Sequence, residues 1–233
     1  MDRLPGDVRQ KSAAAAPGAR AHSFTLVYLA RHGQTESNVL QRYAGSGAEP
    51  ITDRGRGQMS ALAARLGLCG IGEIWTSEVA RAQESADLVA RILGIPVRTD
   101  ARLNEIRMGP WEGLTEAEVA QHYPAAHALW CTVPDRVVLK GRETLDALAA
   151  RVLPAVHEAA RQPHPVLLMT HVAPVRVGVL AALSLPLRYY KRLHVANGDA
   201  VVIDRAKAEA RRLGEDQSLQ RELPVSGPES SIA

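Results

Sequence analysis

The sequence predicts an α/β protein with a single domain, in which three layers (α/β/α) are built on a mainly parallel sheet. Short apolar runs alternate with longer segments in which apolar residues recur every three or four positions, as in successive β/α units. The composition is 46% hydrophobic but only 4% aromatic. An aliphatic and alanine-rich core of this kind suits helices packed on a parallel sheet. A length of 233 residues favours one domain over two.

Five segments are predicted as strands. The strongest are residues 24–30, Glu73–Thr76 and Val166–Thr170, and residues 95–99 and Ala200–Asp204 are further candidates. We expect the last of these at an edge of the sheet, because a charged segment follows it. The periodic apolar segments predict helices over residues 53–67, 78–93, 144–162 and 174–183. Pro154 lies inside the third helix and is expected to kink or split it.

The two ends of the chain lack the apolar periodicity of the middle. Residues 1–23 combine Pro, Gly and a run of alanines, and we expect a disordered N-terminal tail there. Residues 24–206 are predicted to form the single folded domain. From residue 207 the chain turns charged, and residues 207–233 are predicted to form a flexible C-terminal tail.

Charge and cysteine content argue against several classes of protein. The net charge of +3 arises from scattered Lys and Arg residues, which disfavours nucleic-acid binding. Cys69 and Cys131 lack a CxxC spacing or evident histidine partners, so neither a disulfide framework nor a metal site is expected. The sequence shows no membrane-spanning run and no secretory signal, so a cytoplasmic protein without membrane partners is the default expectation.

Each main predicted strand runs directly into polar residues. Arg31 and His32 follow the first strand, Ser77 and then Arg81 follow the second, and His171 follows the strand that ends at Thr170. Because the carboxyl ends of the strands in an open α/β sheet line the ligand crevice, these side chains are expected to converge. Two arginines and two histidines at one point indicate a site for a small anion.

The ordered set of motifs resembles the histidine phosphatase superfamily, also called the phosphoglycerate mutase-like family. The family's RHGxTxxN signature is matched in sequence by Arg31, His32, Gly33, Thr35 and Asn38. The family's second arginine corresponds to Arg81, in a segment where Ser85 replaces a threonine. Its acid corresponds to Glu105, in Leu103-Asn-Glu105 followed by Gly109-Pro-Trp111-Glu112-Gly113. His171 corresponds to its second histidine and Arg176 to a further arginine.

This resemblance implies a metal-independent phosphatase that acts on a small phosphomonoester and uses no cofactor. His32 would attack phosphorus and carry a phosphohistidine, and Glu105 would be the general acid and base. The phosphate-binding residues implied are Arg31, Asn38, Arg81, His171 and the backbone N–H of Val172. Thr35 and Arg107 are candidate substrate contacts. The chemistry suits these residue types, because arginine forks stabilise charge on phosphoryl oxygens and a neutral imidazole can attack.

Two positions depart from the family pattern. Val172 stands where the family commonly has glycine, and valine tolerates fewer backbone angles. The segment from Gly141 to Thr144 resembles a GES stretch of the family with Thr in place of Ser, and it also fits a turn that leads into a helix.

Three functions remain open from the sequence. The path from Glu105 to Gly141 is short, which favours a phosphatase over phosphoglycerate mutase-type phosphoryl transfer. A catalytically inactive member that binds a phosphorylated ligand is a further alternative. Residues 106–140 are expected to form a lid over the leaving group of a small phosphorylated metabolite. The oligomeric state stays open, with a homodimer among the alternatives.

Overall fold

The computed structural model describes residues 26–45, 47–221 and 223. The predicted N-terminal tail, residues 1–23, lies outside the described residues, as do residues 24 and 25 of the first predicted strand. The strands are β1 (Leu26–Arg31), β2 (Glu73–Thr76), β3 (Val97–Thr99), β4 (Val166–Thr170), β5 (Ala200–Asp204) and β6 (Glu209–Arg212). The α-helices are α1 (Glu36–Val39), α2 (Asp53–Leu66), α3 (Ala80–Leu93), α4 (Glu116–His122), α5 (Pro124–Thr132), α6 (Leu145–Ala159) and α7 (Val172–Ala182). Short 3-10 helices cover Ala101–Leu103, Gly109–Trp111, Pro134–Arg136, Leu187–Arg192 and Leu219–Arg221.

The described strands form one mixed sheet in the order β3-β2-β4-β1-β5-β6. The four strands from β3 to β1 are parallel, whereas β5 and β6 join in antiparallel pairing. In register, Arg31 at the end of β1 lies beside Thr170 at the end of β4. The residues that follow these two strands therefore leave the sheet side by side, as the sequence predicts.

Alternation along β1 divides the core between the two faces of the sheet. Val27 and Leu29 pack with α6 and α7, whereas Tyr28 and Ala30 pack with α2 and α3. Gly178 lets α7 approach β1 closely, because a Cβ there would lie 2.8 Å from a methyl group of Leu29. These packed layers confirm the predicted α/β/α architecture with a mainly parallel sheet.

The prediction for the C-terminal segment is wrong over its first part. Residues Glu209–Arg212 form β6, which pairs with β5, so β5 is an inner strand rather than an edge strand. Ala210 and Leu219 are buried, and their apolar side chains complete the core beneath a polar surface. The many charged residues of this segment concealed the strand, because its other side chains face solvent wholly or in part. Residues 222 and 224–233 of the predicted tail lie outside the described residues.

Pro154 does not split α6, contrary to one of the two predicted outcomes. The helix runs unbroken over Leu145–Ala159 with Pro154 inside it. Pro154 has no N–H group, so the carbonyl of Ala150 loses its helical hydrogen-bond donor. Both residues are exposed, so water can donate to that carbonyl instead. Among the described residues, none of the helices has the length and apolar character needed to cross a membrane.

Candidate active site

A pocket opens at the carboxyl ends of the parallel strands. Its lining brings together six of the residues that the sequence predicts for the site, namely Arg31, His32, Asn38, Arg81, Glu105 and Val172. These residues come from β1, α1, α3, the loop after Leu103 and the start of α7. The pocket encloses about 750 Å³ including its mouth, which is room for a phosphomonoester with a small organic group. We call this space the catalytic pocket.

His32 is held as a neutral imidazole with one defined tautomer. Its Nδ1 lies 2.7 Å from the carbonyl oxygen of Gly33, and because a carbonyl only accepts, Nδ1 carries the proton. Nε2 therefore has the lone pair, and it accepts a hydrogen bond from Arg81 Nε at 3.1 Å. Burial, followed by the charges of Arg81 and Arg31, holds the pKa of His32 well below its usual range. An unprotonated Nε2 is what nucleophilic attack requires.

The loop that carries His32 is fixed by close backbone contacts. A Cβ at Gly33 would lie 2.6 Å from the carbonyl oxygen of Gly55, so only glycine fits without displacing the start of α2. The N–H of Gly33 donates to Ser85 Oγ at 3.1 Å, and Ser85 Oγ in turn donates to the carbonyl of Arg81. Ser85, which replaces the family's threonine, thus couples the nucleophile loop to the helix that carries Arg81.

Arg31 and Arg81 bring positive charge to the pocket. Among the described residues neither guanidinium forms an ion pair with an acid. Backbone carbonyls orient them instead: Arg31 donates to Val195 and Arg81 donates to Gly45, at 2.8 and 3.0 Å. Burial lowers the pKa of both groups, yet arginine stays charged. Their remaining N–H groups are suited to a phosphoryl group.

Glu105 lies at the same pocket in an environment that favours its protonated form. Burial raises the pKa of its carboxyl group, and the charges of Arg81 and Arg31 only partly oppose this effect. Its Oε1 accepts hydrogen bonds from the N–H groups of Ile106 and Ala173, at 2.9 and 3.3 Å. Oε2 is then the oxygen that remains to carry and transfer a proton.

An ion pair that the sequence analysis missed, between buried Glu143 and partly buried Arg151, holds the Glu105 segment. Arg151 of α6 pairs with Glu143 through two hydrogen bonds of 2.8 and 2.9 Å. Arg151 also donates to the carbonyls of Arg102, Asn104 and Glu105 at 2.9, 2.7 and 3.0 Å. Glu143 belongs to the stretch interpreted as either a turn or a GES-like motif, and the structure gives it this supporting role. No local pattern reveals this role, because it depends on the long-range contacts of Arg151 with the carbonyls of residues 102, 104 and 105.

His171 sits behind His32, and their ring centroids are 5.1 Å apart. Its Nε2 lies 2.8 Å from Ser77 Oγ, whose own hydrogen is donated to Asn104 Oδ1, so Nε2 carries the proton. Nδ1 is buried without a partner among the described residues. Burial and the neighbouring positive groups hold the pKa of His171 well below its usual range. His171 itself does not line the catalytic pocket.

Asn38 and Val172 each present a hydrogen-bond donor among the residues that line the pocket. The side-chain oxygen of Asn38 accepts from Thr35 N and from Asn197 Nδ2, at 3.1 and 2.8 Å, which leaves its NH2 group as a donor. Val172 is the first residue of α7, where N–H groups lack a helical partner. Its backbone is helical, a conformation that valine adopts readily, so the missing glycine causes no strain here.

The structure does not bring the two candidate substrate contacts into the pocket. Thr35 is fully buried, and its side chain caps the N-terminus of α1. Arg107 is exposed and does not line the catalytic pocket, and its backbone bonds to Glu143. The family pattern placed both residues close to the site in sequence, but the Thr35 side chain serves the cap of α1 and Arg107 is exposed outside the pocket lining.

The predicted lid supplies an aromatic wall. Trp130 of α5 donates to Tyr43 Oη at 3.0 Å, and its ring lies 5.3 Å from that of Tyr190. The wall also carries charge, because Arg42, Glu116 and Arg176 line the same pocket. Trp130 and Glu116 lie within the predicted lid, and Arg176 belongs to the resemblance. Sequence reasoning did not single out Arg42, Tyr43 or Tyr190 for the site, because no motif marks them.

Known proteins resemble this chain over most of its length. A bifunctional protein of Mycobacterium tuberculosis is 34% identical over 187 residues, which cover 76% of this chain and 49% of that protein. Glucosyl-3-phosphoglycerate phosphatase of the same organism is 35% identical over 186 residues, covering 76% of this chain and 79% of that enzyme. The chain thus spans about half the length of the first of these relatives.

A solved structure shares the fold. The mycobacterial glucosyl-3-phosphoglycerate phosphatase in complex with VO3 superposes with a TM-score of 0.69 at 29% identity, over 76% of this chain and 90% of that one. The sequence profile of the histidine phosphatase superfamily (branch 1) matches residues 27–214, which include every site residue described above. The resemblance seen in the sequence is thereby confirmed, and the chain belongs to the histidine phosphatase superfamily.

Proposed function

We propose that this chain is a phosphatase that hydrolyses a small phosphomonoester through a phosphohistidine on His32. The observation that carries the proposal is the tautomer of His32, whose Nε2 lone pair lies in a pocket lined by Arg31 and Arg81. Neither of these two arginines forms an ion pair with an acid in the part of the chain that the structure describes. Relatives of similar length are named as phosphatases, which supports hydrolysis over other reactions of the fold.

In the first step, Nε2 of His32 forms a bond to phosphorus while the bond from phosphorus to the ester oxygen breaks. Arg31, Arg81 and the NH2 group of Asn38 stabilise the charge on the phosphoryl oxygens. Glu105 gives its proton to the departing oxygen, which leaves as an alcohol. The raised pKa of Glu105 increases the fraction of the carboxyl group that holds this proton at a given pH.

In the second step, the same groups act in reverse. The Glu105 carboxylate takes a proton from water, the water oxygen bonds to phosphorus, and the bond from phosphorus to His32 breaks. Inorganic phosphate leaves, and Glu105 keeps the proton that it took from water, so it is ready for the next cycle. The charges of Arg31 and Arg81 serve both steps, since the two transition states carry similar charge.

His171 and Val172 are assigned to phosphate binding as part of this proposal. His171 donates to Ser77 through Nε2, so a contact from Nδ1 to an anion requires a second proton. A bound dianion favours that proton electrostatically, and His171 is buried beside His32. The N–H of Val172 offers a further donor from the start of α7.

The substrate's organic group is assigned to the aromatic wall. Tyr43, Trp130 and Tyr190 offer apolar faces, whereas Arg42 and Arg176 suit a carboxylate or hydroxyl groups on the same molecule. A phosphorylated sugar acid fits this mixture of faces, and one relative is named for glucosyl-3-phosphoglycerate. We therefore propose a small polar phosphomonoester that carries at least one further oxygen-rich group.

Phosphate release from a panel of phosphorylated metabolites tests the proposal. The panel includes glucosyl-3-phosphoglycerate, 3-phosphoglycerate and p-nitrophenyl phosphate, and both inorganic phosphate and phosphorylated products are measured. We expect stoichiometric phosphate release that vanadate inhibits. Isomerisation of 3-phosphoglycerate without phosphate release would indicate the mutase alternative, and binding without any turnover would indicate an inactive member.

A further inference from the structure

Three potential metal ligands meet at the rim of the catalytic pocket. Glu116 begins α4, whereas His127 and Cys131 lie four residues apart on one face of α5. His127 Nε2 is 3.3 Å from Glu116 Oε1 and 3.5 Å from Cys131 Sγ. Cys131 Sγ is 3.9 Å from Glu116 Oε1. We call these three residues the rim cluster.

These three distances are close to the edges of a tetrahedral zinc site. With zinc bonds of about 2.3 Å to sulfur and about 2.0–2.2 Å to nitrogen and oxygen, tetrahedral angles place S and N about 3.6 Å apart. The same bond lengths place S and O about 3.6 Å apart and N and O about 3.4 Å apart. The observed 3.5, 3.9 and 3.3 Å differ from these values by no more than about 0.3 Å, so small side-chain rotations suffice to close the site.

The local structure holds the ligands in place. Thr115 and Glu118 form a capping box that fixes the first turn of α4, from which Glu116 projects. The spacing of four residues on α5 puts the His127 and Cys131 side chains one turn apart, as in helical metal-binding pairs. The sequence analysis saw no partner for Cys131, because the carboxylate comes from another helix and the histidine was not read as its neighbour.

A cationic group already occupies the cluster. Lys191 Nζ lies 2.9 Å from Glu116 Oε1 and 4.0 Å from Cys131 Sγ. Its ammonium also lies 5.6 Å from the centre of the Trp130 ring, which is an alternative cation–π partner. A divalent cation that binds thiolate and imidazole can therefore displace Lys191 from the carboxylate without leaving the ammonium unpartnered.

We propose that the rim cluster binds one Zn²⁺-class divalent cation, with water as the fourth ligand, and that occupancy slows turnover. Glu116 and Trp130 line the catalytic pocket, so a metal bound between α4 and α5 fixes the wall that substrate must pass. Zinc is favoured because thiolate, imidazole and carboxylate together match its preferred donors. The proposal of metal binding rests only on the distances within the rim cluster. The proposed effect on turnover rests in addition on the proposed phosphatase function.

Cobalt titration of chelator-treated protein tests the binding. We expect one Co²⁺ per chain, with a thiolate-to-cobalt charge-transfer band and intense tetrahedral ligand-field absorption that Zn²⁺ abolishes. Cys131→Ser and His127→Gln should lose the band and weaken Zn²⁺ binding by more than about 100-fold, the upper range for loss of an outer-shell partner. Cys69→Ser is the matched control and should keep the full spectrum. Absence of the band, or its persistence in Cys131→Ser, would overturn the site.

Turnover assays of the same proteins test the regulatory part. Zn²⁺ at one equivalent should slow phosphate release by wild type and by Cys69→Ser but not by Cys131→Ser, whose metal-free activity should match wild type. Equal inhibition of Cys131→Ser would place the inhibitory metal elsewhere. If the cobalt spectrum is as expected and no protein releases phosphate, the proposed phosphatase function fails while the metal site stands.

Discussion

Glu105 is the residue at which burial and two arginine charges act in opposite directions on one carboxyl group. Replacing it with Gln removes the transferable proton with little change in shape. We expect Glu105→Gln to slow hydrolysis of alkyl phosphates by about 100-fold or more, the usual worth of positioned proton transfer. Phosphorylation by p-nitrophenyl phosphate should slow far less, because p-nitrophenolate leaves without a proton.

Single-turnover rates with both substrates measure this difference. A burst of p-nitrophenol before slow turnover is expected in the variant, since water attack still needs a base. Equal losses on the two substrates would remove Glu105 from the acid role. Glu112, the other acid in this motif, is exposed and does not line the catalytic pocket, so Glu112→Gln serves as the matched control.

The pH dependence of kcat/KM follows from the same two residues. His32 must be unprotonated, and because its pKa is lowered well below 6.5, it is ready to attack throughout the neutral range. Glu105 must be protonated, and its pKa is raised above 4.5, so activity on alkyl phosphates should fall as pH rises through that raised value. Glu105→Gln should abolish this alkaline limb, and an unchanged limb in the variant would assign it to another group.

At the scale of elements, α6 is tied to the loop that carries Glu105 by the pair of Arg151 and Glu143. Removing one partner leaves a buried charge uncompensated, so Arg151→Ala should lower the free energy of unfolding by about 3 kcal/mol. Denaturant unfolding measures this, and Lys207→Ala, which removes a surface pair with Asp204, should cost less than about 1 kcal/mol. We also expect Arg151→Ala to lower kcat more than it raises KM, because Glu105 loses its backbone support. A stability loss with an unchanged kcat would restrict Arg151 to the fold.

The elements that could be predicted from sequence are those with strong local patterns. Strands β2, β4 and β5 are apolar and were located at their observed bounds. Strand β6 could not be found, since only Ala210 of its four residues is buried and the others are charged. Because β6 pairs with β5, β5 lies inside the sheet, and this position could not be predicted without finding β6.

The candidate site likewise contains residues that local patterns predict and residues that only the folded chain brings together. His32, Arg81 and Glu105 follow predicted strands or known motifs, and the fold brings them to one pocket. Tyr43 and Trp130 are 87 positions apart and meet only in the folded chain, so no spacing in the sequence marks the pair. The contacts by which Arg151 supports the Glu105 segment also form only in the folded chain.

At the scale of the whole molecule, two buried histidines make stability depend on pH. Their pKa values are well below 6.5 in the folded state, so below about pH 6.5 the unfolded chain binds protons that the folded chain does not. Stability is therefore lost as pH falls below about 6.5. Glu105 acts oppositely: its raised pKa lowers stability as pH rises above 4.5.

A variant of His171 separates its contribution to the pH dependence of stability from that of His32. His171→Asn should reduce the slope of unfolding free energy against pH, between pH 6 and pH 5, by up to about 1.4 kcal/mol per pH unit. Chemical denaturation at several pH values measures the slope. A slope equal to that of wild type would show that His171 does not remain neutral in the folded protein.

The central claim is that His32 carries the phosphoryl group, and trapping that intermediate tests it most directly. Protein quenched during turnover of a ³²P-labelled phosphomonoester should hold label that is stable to alkali and released by acid, as a phosphoramidate is. Peptide mapping should place the label on His32, and His32→Ala should abolish both label and turnover while its circular dichroism stays unchanged. Label of undiminished amount in His32→Ala, or label on His171, would contradict the account.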